Sequence, residues 1–301
     1  MKSNLEAFRR KDRLIKGITT DGFFKITVVK TTEAVELARH YHGLSPLVTI
    51  LLGRSLSGTM LLAAELKGEE RVRLDLEGNG PVAHLVVEAN AIGEMRGYAA
   101  HPMAAPDPDK PFELGEGLGL GVLRFSKSLY NEARPITGTV ELVKGTISED
   151  LAYYLLQSEQ IPSAISVDVS LNEDGSVASA GGILIQALPG APEEAIGILE
   201  ANLKAVLPLA ERLGHGDTID TVMAQVAGDL GARELARFPV HFFCRCTKDR
   251  FVSALGMLDL DELKEMAGHD QELVCHYCNK RYAITGAEVD GILAGKKIQM
   301  N

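Results

Sequence analysis

Two closely spaced cysteine pairs constrain this chain more than any other feature. Residues 1–243 hold no cysteine, and all four lie between Cys244 and Cys278. Cys244-Arg245-Cys246 is followed by 28 residues and then by Cys275-His276-Tyr277-Cys278. A disulfide scaffold would instead spread many cysteines through a short secreted chain. The N-terminal stretch MKSNLEAFRRKDRLIKG is charged and has no apolar core of the signal-peptide kind. No apolar run approaches the ~18 residues of a membrane span, and LVTILLG at 47–53 reads as a short buried element. A reducing cytoplasm is therefore expected, where such a cluster points to metal or redox chemistry.

Four thiolates suit the tetrahedral, soft-ligand preference of Zn²⁺, one ion per chain. A CxxC pair sets both sulfurs on a tight turn. In a CxC pair, alternate side chains of an extended segment face the same side. The candidate ligands are Cys244, Cys246, Cys275 and Cys278, with His241, His269 and His276 as alternatives to one of them. Arg245, Lys248, Arg250, Lys280 and Arg281 flank the cysteines and would favour thiolates. Zinc shared by both pairs would close the 28-residue loop, at an entropic cost that grows with loop length. If each pair instead oxidised within itself, two local staples would replace that clamp. A region of this size has little core of its own, so losing the metal should unfold it. From the cysteines alone, a purely structural zinc module and a redox-cycling one remain equally open.

The rest of the chain divides by pattern into a core (1–188), a linker (189–240) and the cysteine region (241–301). The core reads as α+β. Alternation marks strands at Phe24–Val28, Val72–Leu76 and Val140–Val143. Hairpins are expected at 84–88/94–98 and 165–171/177–188. Helices are expected at Glu33–His42, Leu56–Leu66 and Glu149–Gln157, the last capped by Ser148. This order favours a mostly antiparallel sheet with packed helices. In the linker, Ile196, Leu199, Leu203 and Val206 recur at helical spacing, Pro208 interrupts, and Ile219, Val222, Met223 and Val226 resume it. Six glycines weaken those helices, so the linker is either an ordinary connector or a segment helical only while docked.

The net charge is −10, distributed as −5, −4 and −1 over the three regions. No basic surplus supports nucleic-acid binding. An enzyme built on the core finds little footing. Gly115, Gly117, Gly119 and Gly121 miss GxGxxG because Leu120 occupies the third glycine position, and they read as a flexible strand-flanking loop. Gly53-Arg54-Ser55-Leu56-Ser57 misses the GxSxG elbow at its last position, and His84 and His101 read as locally hydrogen-bonded.

The segments FFCRCTKDRFVSALGMLDLDELKEM and LVCHYCNKRYAIT resemble the 33-kDa heat shock protein family, the redox-regulated bacterial holdase chaperones. So do ITTDGFFKITVVKTT, GNGPVAHLVVEANAIGEMRGY, ISEDLAYYLLQSEQIPSAISVDV and GGILIQALPGAPEEAI, which extend the resemblance over nearly the whole length. The resemblance implies an α+β core, a metastable linker and a small C-terminal zinc-binding redox switch. It implies that the reduced, zinc-bound form is inactive. It further implies that hypochlorite, or peroxide with unfolding stress, forms the Cys244–Cys246 and Cys275–Cys278 disulfides, releases zinc and unfolds switch and linker. The active form, often a homodimer, would bind unfolding client proteins without ATP. Neither a nucleic acid nor a membrane is expected as a partner.

Overall fold

The computed structural model describes residues 11–299. The chain divides into two compact units, with the boundary between Phe243 and Cys244. The first unit is α+β and mostly antiparallel. It opens with β1 (Arg13–Thr19) and β2 (Phe24–Lys30), followed by α1 (Thr32–His42) and α2 (Pro46–Ala63). Next come β3 (Arg71–Gly78), β4 (His84–Asn90), β5 (Glu94–Ala99), β6 (Gly121–Ser128) and β7 (Ile136–Glu141). After α3 (Ser148–Gln157), the hairpin of β8 (Ser163–Leu171) and β9 (Val177–Ala187) completes the core strands.

The centre of this unit is α2, with 15 of its 18 residues buried. It packs against β8 and β9 on one side and against β3, β4 and β5 on the other. The expected helix began at Leu56; the observed one starts ten residues earlier and takes in the apolar 47–53 stretch. Ser45 caps it by accepting from the Val48 N–H at 3.3 Å, and Pro46 sits where a missing N–H costs nothing. The helix is long and apolar enough to cross a membrane, with a mean hydropathy of 1.4, yet most of it is buried inside the core. Its hydroxyls are satisfied locally. Thr49, Ser55, Ser57 and Thr59 donate to carbonyls four residues back at 2.7–2.9 Å. Gly53 is required by close packing, because a Cβ there would meet Val35 at 2.7 Å and Val169 at 2.9 Å.

The start of α3 differs from expectation. Ile147, at φ 83°, is the N-cap, and Ser148 opens the helix itself. Ser148 Oγ instead accepts from the Val167 N–H at 3.0 Å. The capping carboxylate belongs to Asp150, which is fully buried and accepts from the N–H groups of Val143, Lys144, Gly145 and Ile147 at 2.8–3.1 Å. The same carboxylate ends β7, since it draws Val143 and Lys144 out of the ladder. The strand therefore spans Ile136–Glu141 and not Val140–Val143.

Residues 189–239 fold onto the first sheet. The stretch forms α4 (Glu193–Ala205), α5 (Leu209–Gly214), α6 (Ile219–Ala227) and β10 (Ala232–Pro239). Pro208 separates α4 from α5, as its missing N–H dictates. One apolar cluster holds the helices down: Leu199, Leu203, Val206, Leu209, Val222 and Val226 meet Ile15, Phe24, Ile26 and Val28. A polar clamp joins the same surfaces. Asp168 Oδ2 accepts the Ala210 N–H at 3.1 Å, Ser179 Oγ donates to the Ala210 carbonyl, and Arg54 holds Asp168 at 3.2 Å. The last eight residues of the stretch are extended and not helical. β10 pairs antiparallel with β1, giving the sheet order β10-β1-β2-β9-β8. The short β11 (His241–Phe242) then adds in parallel to β5, giving β11-β5-β4-β3-β6-β7.

The second unit is small. α7 (Lys248–Leu255) and α8 (Leu260–Met266) precede a hairpin of β12 (Gln271–Val274) and β13 (Arg281–Ile284), and α9 (Gly286–Gln299) follows. Its buried apolar cluster is Leu255, Leu263, Ile284, Val289 and Leu293.

Candidate metal centre

The β12–β13 hairpin presents one cysteine pair. Its turn is tightened by the Cys278 and Asn279 N–H groups, which donate to the Cys275 carbonyl at 3.3 and 2.7 Å. Asn279 takes a left-handed backbone, φ 56°, that asparagine tolerates better than most residues. The Cys275 N–H donates across the hairpin to the Lys280 carbonyl at 2.9 Å. The other pair lies on the extended segment that enters α7, whose N-cap Thr247 accepts from the Arg250 N–H. Cys244 and Cys246 are two residues apart on that segment, as the CxC spacing implies.

All four sulfurs lie within 4.8 Å of one another. Cys244 Sγ is 3.7 Å from Cys275 Sγ, and Cys246 Sγ is 3.4 Å from Cys278 Sγ. A tetrahedral ion with Zn–S bonds of about 2.3 Å would hold its sulfurs roughly 3.8 Å apart. The four-cysteine set therefore fits such an ion. Among the described residues it is the one group of its kind, and His241, His269 and His276 lie outside it.

The electrostatics point the same way. Burial pushes the Cys275 and Cys278 thiols up, and the neighbouring sulfurs add to the rise. Cys246 goes down despite its burial, because the Tyr282 hydroxyl and the adjacent sulfurs favour its thiolate. That hydroxyl lies 3.2 Å from Cys246 Sγ and 3.0 Å from the Cys246 carbonyl, so its single proton serves one of the two at a time. Four sulfurs this close cannot all ionise without a cation among them.

Two of the five flanking cations, Lys248 and Arg281, are held by carboxylates. Lys248 pairs with Glu288 at 2.8 Å, and Lys248 and Thr285 together hold that carboxyl down at about 2. Arg281 pairs with Glu272 at 2.5 Å. Lys280 Nζ stands 5.3 Å from the centre of the Tyr282 ring, so it acts on the ring that supports Cys246. Sequence reasoning missed Tyr282; its spacing of four residues from Cys278 on a hairpin strand was the available signal.

The rival sites dissolve on inspection. Ser55 and Ser57 are buried in α2 and donate to Leu51 and Gly53 carbonyls. His84 Nε2 lies 3.3 Å from Asp75 Oδ1, and His101 Nδ1 lies 2.9 Å from the Pro81 carbonyl. The glycine-rich segment is not a loose loop: Leu114–Gly117 forms a 3₁₀ turn and Gly121 starts β6.

The Hsp33 protein family model matches residues 12–285. The 33 kDa chaperonin of Desulforamulus reducens is 37% identical over 287 residues, covering 94% of this chain and 97% of that protein. The 33 kDa chaperonin of Thermus thermophilus is 40% identical over 296 residues, covering 94% and 86%. The crystal structure of the 33 kDa chaperonin of Thermotoga maritima superposes with a TM-score of 0.88 at 32% identity, covering 96% of this chain and 99% of that one. A fold of this topology, a four-cysteine centre in a separate C-terminal unit and likeness along nearly the whole length place the chain in the Hsp33 family of chaperones.

Proposed function

We propose that the chain is a redox-regulated, ATP-independent holdase that keeps unfolding proteins from aggregating in the cytoplasm. The observation that carries this reading is the convergence of all four cysteine sulfurs within 4.8 Å in a unit with little other core. Zinc bound there supplies a double positive charge and a tetrahedral cross-link between the two cysteine pairs. Tyr282 keeps Cys246 oriented and favours its thiolate. An oxidant of the hypochlorite or peroxide class takes two electrons from each thiolate pair as the S–S bond forms, is itself reduced to chloride and hydroxide or to hydroxide alone, and leaves sulfurs that no longer hold zinc. The products are Cys244–Cys246 and Cys275–Cys278, both local, so the 28-residue loop is released. Loss of the C-terminal unit then loosens residues 189–239, and the apolar faces of α4, α5 and α6 become available to clients, with the oxidised form a homodimer.

The test is to treat the zinc-loaded protein with hypochlorite and to follow zinc release together with aggregation of a heat-unfolded client. Zinc release accompanied by suppressed aggregation is expected. Zinc retained through oxidation, or released without suppression, overturns the reading and leaves a constitutive structural zinc module. Limited proteolysis supplies the second check, because continued protection of 189–239 after zinc loss would exclude release of the linker.

A further inference from the structure

The polar face of the six-stranded sheet carries a set of arginines for which the chaperone reading has no role. Arg71 and Arg73 on β3, Arg96 on β5 and Arg134 before β7 line one open depression of about 610 Å³. They are four of the chain's 16 arginines, gathered on a protein of net charge −10. Strand register explains the convergence. Val72 and Leu74 point into the core, so Arg71 and Arg73 share the outer face. Glu88 lies opposite Arg73, and Arg96 lies opposite Glu88.

Among the described residues Glu88 is the one carboxylate in the lining, and it is engaged. Arg96 donates to it through Nε at 3.0 Å and Nη2 at 2.6 Å, and Arg73 approaches it at 3.6 Å. Arg73 also forks onto Asp75 at 2.7 and 2.8 Å. These pairs fix the planes of two guanidinium groups. The side chains of Arg71 and Arg134 are exposed and make no ion pair among the described residues. Hydroxyls complete the rim: Ser126 and Thr137, 2.8 Å apart, and Ser128 opposite Arg71. Among the described residues no aromatic ring lines the depression.

Guanidinium forks match phosphate oxygens bidentately, and they do so best when pre-oriented. We propose that this face binds a di- or triphosphate group, gripped by Arg71 and Arg134 and by Arg73 and Arg96, which Glu88 and Asp75 hold in position. The group can be free inorganic phosphate anhydride or the tail of a nucleotide. With no ring to stack a base, the phosphates carry the affinity.

The test is calorimetric titration of the reduced, zinc-loaded full chain with inorganic triphosphate, ATP and adenosine, with magnesium in excess. Triphosphate and ATP should each saturate one site with similar Kd, and adenosine should not bind. Arg71→Ala combined with Arg134→Ala should weaken both by on the order of ten-fold or more, and the corresponding double lysine variant by less. Arg124→Ala, on the same face but outside the depression, should leave binding unchanged. Four results overturn the proposal: no saturable binding of triphosphate, ATP binding without triphosphate binding, an unchanged Kd in the double alanine variant, or an equal loss in Arg124→Ala.

Discussion

Residues 189–239 and residues 244–299 are both appendages of the core in sequence, and they are stabilised by opposite means. The linker contributes eleven of the seventeen buried residues in the cluster that covers the first sheet. Its helices are amphipathic and complete their packing against β1, β2, β8 and β9. The C-terminal unit buries five apolar residues in its own cluster and carries four sulfurs that repel one another as thiolates. Dispersion and water exclusion hold the first region, and both are indifferent to oxidants. Ligand chemistry would hold the second, and it vanishes when sulfur is oxidised. A chaperone controlled by redox state needs this division, because the sensing element must be sensitive where the client-binding element is merely weak.

The most severe way to break the contrast is Cys275→Ser. Loss of one ligand should unfold the C-terminal unit, whose folding energy would come largely from the metal, about 10 kcal/mol or more in comparable small domains. Amide exchange should show lost protection at Gln271–Ile284 with protection at Phe24–Lys30 retained. Persistent slow exchange in the hairpin would mean that the unit's apolar cluster suffices. Leu209→Ala should cost about 3 kcal/mol and act on the other region alone, since Leu209 is wholly buried where the linker meets the core sheet. The readout is urea denaturation of the reduced protein together with client suppression at a lower oxidant dose. Asp168→Ala removes the acceptor of the Ala210 N–H and the partner of Arg54, at a cost of about 2 kcal/mol. It should expose α5 to protease without releasing zinc.

The gentlest perturbation uses pH. Asp12 is buried, its Oδ2 accepts the Ala34 N–H at 2.8 Å, and its Oδ1 has no partner among the described residues. Burial pushes its carboxyl up to about 7, against backbone hydrogen bonds at Glu33 and Ala34. A carboxyl raised on folding contributes stability that is complete below its unfolded value of 3.8 and lost as pH rises through about 7. The wild type should therefore lose stability over that window, at no more than about 1.4 kcal/mol per pH unit. Asp12→Asn should flatten the slope for the first unit, as read by thermal melts between pH 4 and 8.

Much of this was legible in the chain. The strands of 84–99 and 163–187 announce themselves by alternation and by turns in which Gly93 and Gly175 take φ 88° and 79°. The CxC and CxxC pairs meet as their spacing suggests. What stayed hidden depends on partners remote in sequence. β10 is almost wholly exposed and shows no alternation; it is a strand only because β1 offers an edge. The sequence pattern starts α2 at Leu56 and leaves 47–53 as a separate short buried element, whereas back-bonding serines and tight packing at Gly53 let one helix run through both. Asp150 organises four backbone donors that come together only in the folded chain. At the metal centre the ligand candidates were readable, while Tyr282 became visible only through the hairpin fold.

The position of α2 in the chain also bears on biosynthesis. This helix leaves the ribosome apolar enough to be mistaken for a membrane anchor. The strands that cover it include β8, which begins 100 residues after the helix ends. At roughly 5–20 residues per second, translation leaves the segment unsheltered for about 5–20 s. A protein whose family protects others from aggregation thus passes through its own interval of exposure each time it is made.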